Sequence, residues 1–219
     1  MASTDIFTSL PLHRPCQPGG GRQRRRAIVL MVSLALLGLA GCGNFDTASQ
    51  TVESVETDSN QRVDRNLRGE SLVSKYSAVR LRLPRGWRPV PGNELHPTAE
   101  LQAYNPQKDI YVIVVGEDQT DVSASGDLSQ QAQIYLQLLK GGLNQVLSRE
   151  NATAVTDVNG FDAVQYDLSG EVYGTEVAYL HTTVAMNGRY YQVVVWTPKD
   201  RFADNIEDMQ AIVQALRPD

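Results

Sequence analysis

TEVAYLHTTVAM, NG, RYYQVVVWTP: residues 175–198 read as two long strands around a two-residue turn, and that hairpin decides the fold. Thr175–Met186 and Tyr190–Thr197 are rich in β-branched and aromatic residues. Asn187-Gly188 between them suits a type I′ turn, whose two central residues both need positive φ. Pro198 cannot donate to a ladder and ends the second arm. In that arm Tyr191, Val193 and Val195 fall on one alternation and Val194 and Trp196 on the other. Both faces of the strand are therefore expected to be covered.

Working outward, Thr153–Val158 leads through Asn159-Gly160 into Phe161–Leu168, a second hairpin of the same kind. Before it, Asp127 can cap a helix on which Leu128, Ala132, Tyr135, Leu136, Leu139, Leu143, Val146 and Leu147 recur at helical spacing for about five turns. Gly141-Gly142 inside it weakens the helix by ~1 kcal/mol per glycine and marks a kink or a close contact. Three strands precede the helix. Val79–Leu83 stops at Pro84 and the Arg85-Gly86-Trp87 turn, Glu100–Tyr104 is closed by Asn105-Pro106, and Ile110–Val115 is a continuous buried-strand run. Ile206, Met209, Val213 and Leu216 space out a closing helix. The order βββ-α-ββββ-α predicts an α+β domain, an antiparallel sheet flanked by helices as an α/β/α sandwich.

The N-terminal part reads differently. Arg22, Arg24, Arg25 and Arg26 precede an apolar run from Ala27 to Ala40, then Gly41-Cys42-Gly43. Basic, apolar and small-residue regions in that order make a secretory signal peptide. A run of about 14 residues forms a helix of roughly 21 Å, short of the ~30 Å hydrocarbon core that a permanent anchor must cross. Residues 1–41 are expected to be removed, which takes five of the 20 Lys+Arg and one of the 25 Asp+Glu and leaves 15 against 24, a formal charge of −9. So acidic a chain is not built for nucleic-acid phosphates. Of its two cysteines, Cys16 goes with the leader and Cys42 stands at the cut, so the folded part has no thiol for a disulfide, a cysteine metal site or thiol catalysis. Residues 42–75 are polar, with Phe45, Val52, Val55, Val63 and Leu67 scattered without period. They are expected to be a flexible tether, and 76–219 the globular domain.

Two resemblances sharpen this. Leu39-Ala40-Gly41-Cys42 resembles the lipobox of bacterial lipoproteins, which implies diacylglycerol on the Cys42 thiol, fatty acylation of the palmitate kind, and cleavage before that residue. The implied place is extracytoplasmic and lipid-anchored: the periplasmic face of a membrane, or the thylakoid lumen side in a cyanobacterium. Leu81-Arg82-Leu83-Pro84-Arg85-Gly86-Trp87, Asn187-Gly188-Arg189-Tyr190-Tyr191 and Trp196-Thr197-Pro198 followed by Arg201-Phe202 resemble the opening strand and closing hairpin of the PsbP/DcrB-like superfamily. That resemblance spans residues 76–217. It implies a PsbP-like lipoprotein that is not an enzyme but an assembly or stability factor for a membrane complex, a photosystem II accessory where the organism is photosynthetic. Arg88-Pro89-Val90-Pro91-Gly92-Asn93 departs from the extended strand of the photosynthetic members.

Chemistry is sparse. There is no Gly-x-Ser-x-Gly, no His-Glu-x-x-His, no phosphate-binding glycine loop and no EF-hand spacing. His181 lies on the Thr175–Met186 strand, where it is either a hydrogen-bonded strand residue or a zinc or copper ligand with Glu176 or Glu171. His96, beside Glu94 in a loop, is either surface decoration or half of an ion site, and two ligands do not fill a tetrahedral one. Glu117, Asp118 and Asp121 form an acidic loop, solvated or loosely calcium-binding. Most of Tyr166, Tyr173, Tyr179, Tyr190, Tyr191 and Trp196 are assigned to the core. Tyr173, in the Gly170–Gly174 loop, and Trp87 are candidate docking residues, since such side chains carry interface energy. The reading is a non-enzymatic, lipid-tethered, protein-binding domain with no required cofactor, and the alternative is a metal- or small-ligand-binding envelope lipoprotein.

Overall fold

The computed structural model describes residues 59–66, 69–118 and 127–219. The lipobox Leu39-Ala40-Gly41, Cys42 and Asp121 lie outside the described residues. In chain order the strands are β1 (Gln61–Asn66), β2 (Gly69–Ser74), β3 (Val79–Arg82), β4 (Arg88–Pro89), β5 (Leu101–Asn105) and β6 (Ile110–Asp118). Helix α1 (Leu128–Gly141) follows, then β7 (Gln145–Val146), β8 (Asn151–Ala152), β9 (Asp157–Val158), β10 (Phe161–Val172), β11 (Thr175–Met186) and β12 (Arg189–Pro198). A 3-10 turn over Lys199–Arg201 leads into α2 (Phe202–Val213) and a last strand, β13 (Leu216–Pro218). No helix among the described residues is long and apolar enough to cross a membrane.

The main antiparallel sheet runs β4-β5-β6-β12-β11-β10-β7, with β8 and β9 also on the β10 edge. Its spine is three long strands joined by tight turns. Asn187-Gly188 has φ of 54° and 74°, Asn159-Gly160 52° and 83°, Tyr173-Gly174 49° and 80°. Positive φ at both central residues twists each hairpin with the sheet.

The alternation on β12 sorts two cores. Tyr191, Val193 and Val195 face one layer with Val112, Val114, Leu180 and, from α2, Met209, Ile212 and Val213. Val194 and Trp196 face the other with Ile113, Val177, Tyr179 and, from α1, Tyr135, Leu136 and Leu139. The helices thus cover opposite faces, the expected α/β/α sandwich. Both cores are made of residues between Leu72 and Leu216.

The domain boundary differs from the expectation. Over residues 59–66 and 69–75 the chain is not a free tether: β1 and β2 form a hairpin in a second sheet ordered β1-β2-β3-β13. Cross-strand register places Val63, Leu72, Leu81 and Leu216 in one row, and Leu72 is fully buried in the α2-side core. Gln61 fastens the hairpin to the main sheet, donating through Nε2 to Val90 O and Gln102 O at 3.0 and 3.1 Å and accepting from Gln102 N. Two adjacent apolar residues, Leu72 and Val73, suffice because a partner sheet supplies the rest of the core.

Three further differences concern element ends. Asp127 caps α1 as expected, accepting from Gln130 N at 2.8 Å, but the helix stops at Gly141 instead of running to Leu147. The chain then adds β7 to the β10 edge opposite Gly170 and Glu171. Gly170 permits this approach, since a Cβ there would lie 2.4 Å from Leu143 Cδ1 and 2.8 Å from Gln145 O. Thr153–Val158 is not one strand; only its last two residues form a strand, β9, while Thr153 N donates to Gln165 O and Thr156 O accepts from Ala163 N as isolated bonds to β10. Leu216 belongs to β13 rather than to the last helix, because its backbone pairs with Leu81.

Candidate functional site

His181 sits at the centre of β11 with no solvent exposure. Its Nε2 donates to Gln192 Oε1 at 2.9 Å, Thr183 Oγ1 donates to the same oxygen at 2.6 Å, and Gln192 Nε2 donates to Glu117 Oε2 at 3.1 Å. The Tyr135 ring of α1 stacks on the imidazole at 5.1 Å. Burial penalises the charged ring and lowers its pKa from 6.5 to about 4, against the opposing pull of the Gln192 bond. Burial, aided by the Glu117 charge, also pushes the Tyr135 phenol well above its usual range. Of the two sequence readings, the hydrogen-bonded strand residue is the one observed. Neither Glu176 nor Glu171 meets the ring, and Glu176 pairs with Lys199 at 3.0 Å.

Glu117 and Asp118 of the acidic stretch are likewise engaged, and they lie on β6 instead of in a loop. Glu117 accepts from Gln192, and Asp118 pairs with Arg189 Nη1 at 3.1 Å. Arg189 Nη2 also reaches the buried Glu100 at 3.1 Å, and its guanidinium lies 5.9 Å from the Tyr191 ring centre. Glu100 accepts from Ser74 and Ser77 as well, tying the β1–β2 hairpin to the first residue of β12. Gly116 leaves room for this cluster, since a Cβ would fall 2.3 Å from Glu100 Oε1. Sequence reading missed Glu100 and Arg189, which are 89 residues apart and become neighbours only through sheet register.

His96 is buried rather than surface decoration. Gln102 holds its loop, accepting from Leu95 N and His96 N and donating to His96 O. Among the described residues no three His, Cys, Asp or Glu side chains gather as a metal site. Trp87 is also buried, 6% exposed, so it does not stand out as a docking residue. Tyr173 does: it is 61% exposed. Gly170, however, is inside β10, and the loop expected over Gly170–Gly174 is only the two-residue turn Tyr173-Gly174.

One cleft of about 700 Å³ opens beside the second sheet, where Arg82, Arg85 and Arg217 meet Glu70. Leu83, Trp87 and Ala215 form its apolar wall. The described residues therefore present to solvent an arginine-lined cleft and two exposed tyrosines, Tyr76, whose hydroxyl donates to Asn60 Oδ1 at 2.9 Å, and Tyr173, while His96 and His181 are enclosed.

No family model and no curated protein matches this chain. Among solved structures it is similar to the cyanobacterial PsbP of Synechocystis, with 13% identity over 68% of this chain and 91% of that one and a TM-score of 0.44. It is also similar to LpqN of Mycobacterium tuberculosis, a protein involved in cell envelope biogenesis, with 16% identity over 72% and 91% and a TM-score of 0.43. The Ran-binding protein Mog1p of Saccharomyces cerevisiae is a third, with 13% identity over 72% and 96% and a TM-score of 0.46. A PsbP thus stands among the similar structures, as the strand and hairpin signatures lead one to expect. At these identities the likeness is one of fold, and no function transfers through it.

Proposed function

We propose that this chain is a non-enzymatic accessory domain, held by a lipid on Cys42 at the outer side of a membrane, that docks on a protein of a membrane complex through Tyr173. The observation that carries the reading is the chemistry of one turn. Three hairpin turns share the same positive-φ geometry; two use Asn at the first central position and the third uses Tyr. A bulky residue at φ 49° costs more than Asn, whose short side chain tolerates the left-handed region. The ring gains no burial in return. Asn144 Oδ1 accepts from Tyr173 N at 2.7 Å and holds the turn, so the ring is presented on a fixed backbone. Ile134 and Leu138 on α1 and Val146 on β7 are further exposed apolar side chains among the described residues. An exposed aromatic on a strained but well-held backbone suits an interface anchor.

The test is Tyr173→Asn, which gives the turn the residue its two sister turns carry. Stability should stay level or rise by up to ~1 kcal/mol, while co-purification of the membrane partner weakens by ~2 kcal/mol or more. Undiminished co-purification removes Tyr173 from the reading. Cys42→Ser in the same strain should leave the precursor uncut or the domain soluble, and a processed, membrane-retained Cys42→Ser protein refutes the lipid anchor.

A further inference from the structure

We propose that the cleft beside the second sheet is a binding site for an acidic, extended peptide segment of a partner protein, separate from the Tyr173 turn. Register supplies the first argument. Arg62, Val73, Arg80 and Arg217 lie directly opposite one another across four strands, and Arg82 stands two residues along β3 from Arg80. Cross-strand partners share a face, so Arg62, Arg80 and Arg217 stand on the face of this sheet that carries the buried Val73, on a chain whose overall charge is −5. Asp219 pairs with both Arg62 and Arg80, and Asp64 also reaches Arg80. Arg85 and Arg217, at the cleft itself, have no ion-pair or hydrogen-bond partner among the described residues. Two exposed cations without partners among the described residues are a charge excess at one spot of an acidic protein.

The cleft's walls select among anions. Its charges sit on three separate segments (β3, the turn after it, and β13), so they suit carboxylates strung along a chain better than a single phosphate. Guanidinium forks match carboxylates two bonds at a time. Glu70 stands in the same wall, paired with Arg65 at 3.3 Å, and its carboxylate can accept a peptide N–H. Leu83, Trp87 and Ala215 form the buried apolar floor of the cleft and leave the arginines as its accessible groups. The volume, about 700 Å³, falls in the range of sites that enclose a drug-sized ligand, which a short peptide stretch fills.

The probe is a fluorescein-labelled peptide alternating Glu and Leu, titrated by anisotropy into the chain from Gly43 to Asp219, which holds both cores. Its Gln–Leu counterpart, inorganic phosphate and phosphatidylglycerol vesicles are the parallel arms. The expected result is saturable binding of the Glu–Leu peptide, absent for the Gln–Leu one and at least tenfold weaker in Arg85→Glu/Arg217→Glu. That estimate follows because each exposed charge pair is worth up to roughly fivefold and reversal adds repulsion. Both arginines are exposed, so the variant should melt like the parent, and the milder Arg85→Gln/Arg217→Gln should lie between. Equal binding by parent and reversed variant, no binding of the Glu–Leu peptide, or preferential binding of phosphate or vesicles would each overturn the proposal.

Discussion

Replacing Leu72 with Ala tests whether residues before Tyr76 are part of the folded unit. Leu72 is fully buried and lies between Val63 and Leu81 in a row that ends at Leu216. The substitution removes three carbons from the α2-side core, a transfer loss of roughly 2–2.5 kcal/mol at ~0.8 kcal/mol per carbon. The surrounding Leu81, Leu216, Ile212 and Val213 come from three different elements, so they cannot all collapse into the space. The remaining cavity raises the expected cost to about 3 kcal/mol, within the ~2–5 kcal/mol found for such truncations. Val63→Ala, in the same row but 38% exposed, should cost below ~1 kcal/mol. Urea denaturation of the chain from Gly43 to Asp219 gives both values, with an unchanged m-value showing that the same surface unfolds. Starting the chain at Lys75 should cost at least as much as Leu72→Ala, because it also strips Ser74 from Glu100. A Leu72→Ala protein within ~0.5 kcal/mol of wild type would refute the packing and restore a free tether.

His181 sets a pH dependence. Its folded pKa of about 4 lies below the ordinary 6.5, so the unfolded chain takes up the proton first. Its contribution is complete above pH 6.5, falls away between pH 6.5 and 4, and changes no further below that, a loss of roughly 3 kcal/mol. Chemical denaturation at pH 7 and pH 4.5 should show a steeper loss for wild type than for His181→Phe; parallel losses refute the buried neutral ring. Gly116→Ala should cost ~2–3 kcal/mol by forcing Glu100 off Arg189, measured as a drop in urea midpoint. A neutral result means that the carboxylate swings aside freely despite its bonds to Ser74 and Ser77.

The sequence by itself determined the elements whose reasons are local. Asn187-Gly188 and Asn159-Gly160 announce their turns because few residue pairs accept positive φ twice. Asp127 announces the start of α1, and the doubled alternation of β12 announces two covered faces. What only the tertiary structure decided depended on a partner distant in the chain. Gln61–Ser74 look polar in isolation, and become a hairpin because β3 and β13 offer an edge and a core receives Leu72. Gly141-Gly142 could kink or end a helix, and β7 pairing beside the Cβ-free Gly170 selects the end. Leu216 keeps the helical spacing of α2, yet pairs with Leu81 as a strand. The enclosure of His181 beneath Tyr135, the Glu100–Arg189 contact, and the meeting of Arg217 with Arg82 and Arg85 follow from packing and register between segments far apart. No window of sequence holds both halves of such a contact, so no local periodicity can report it.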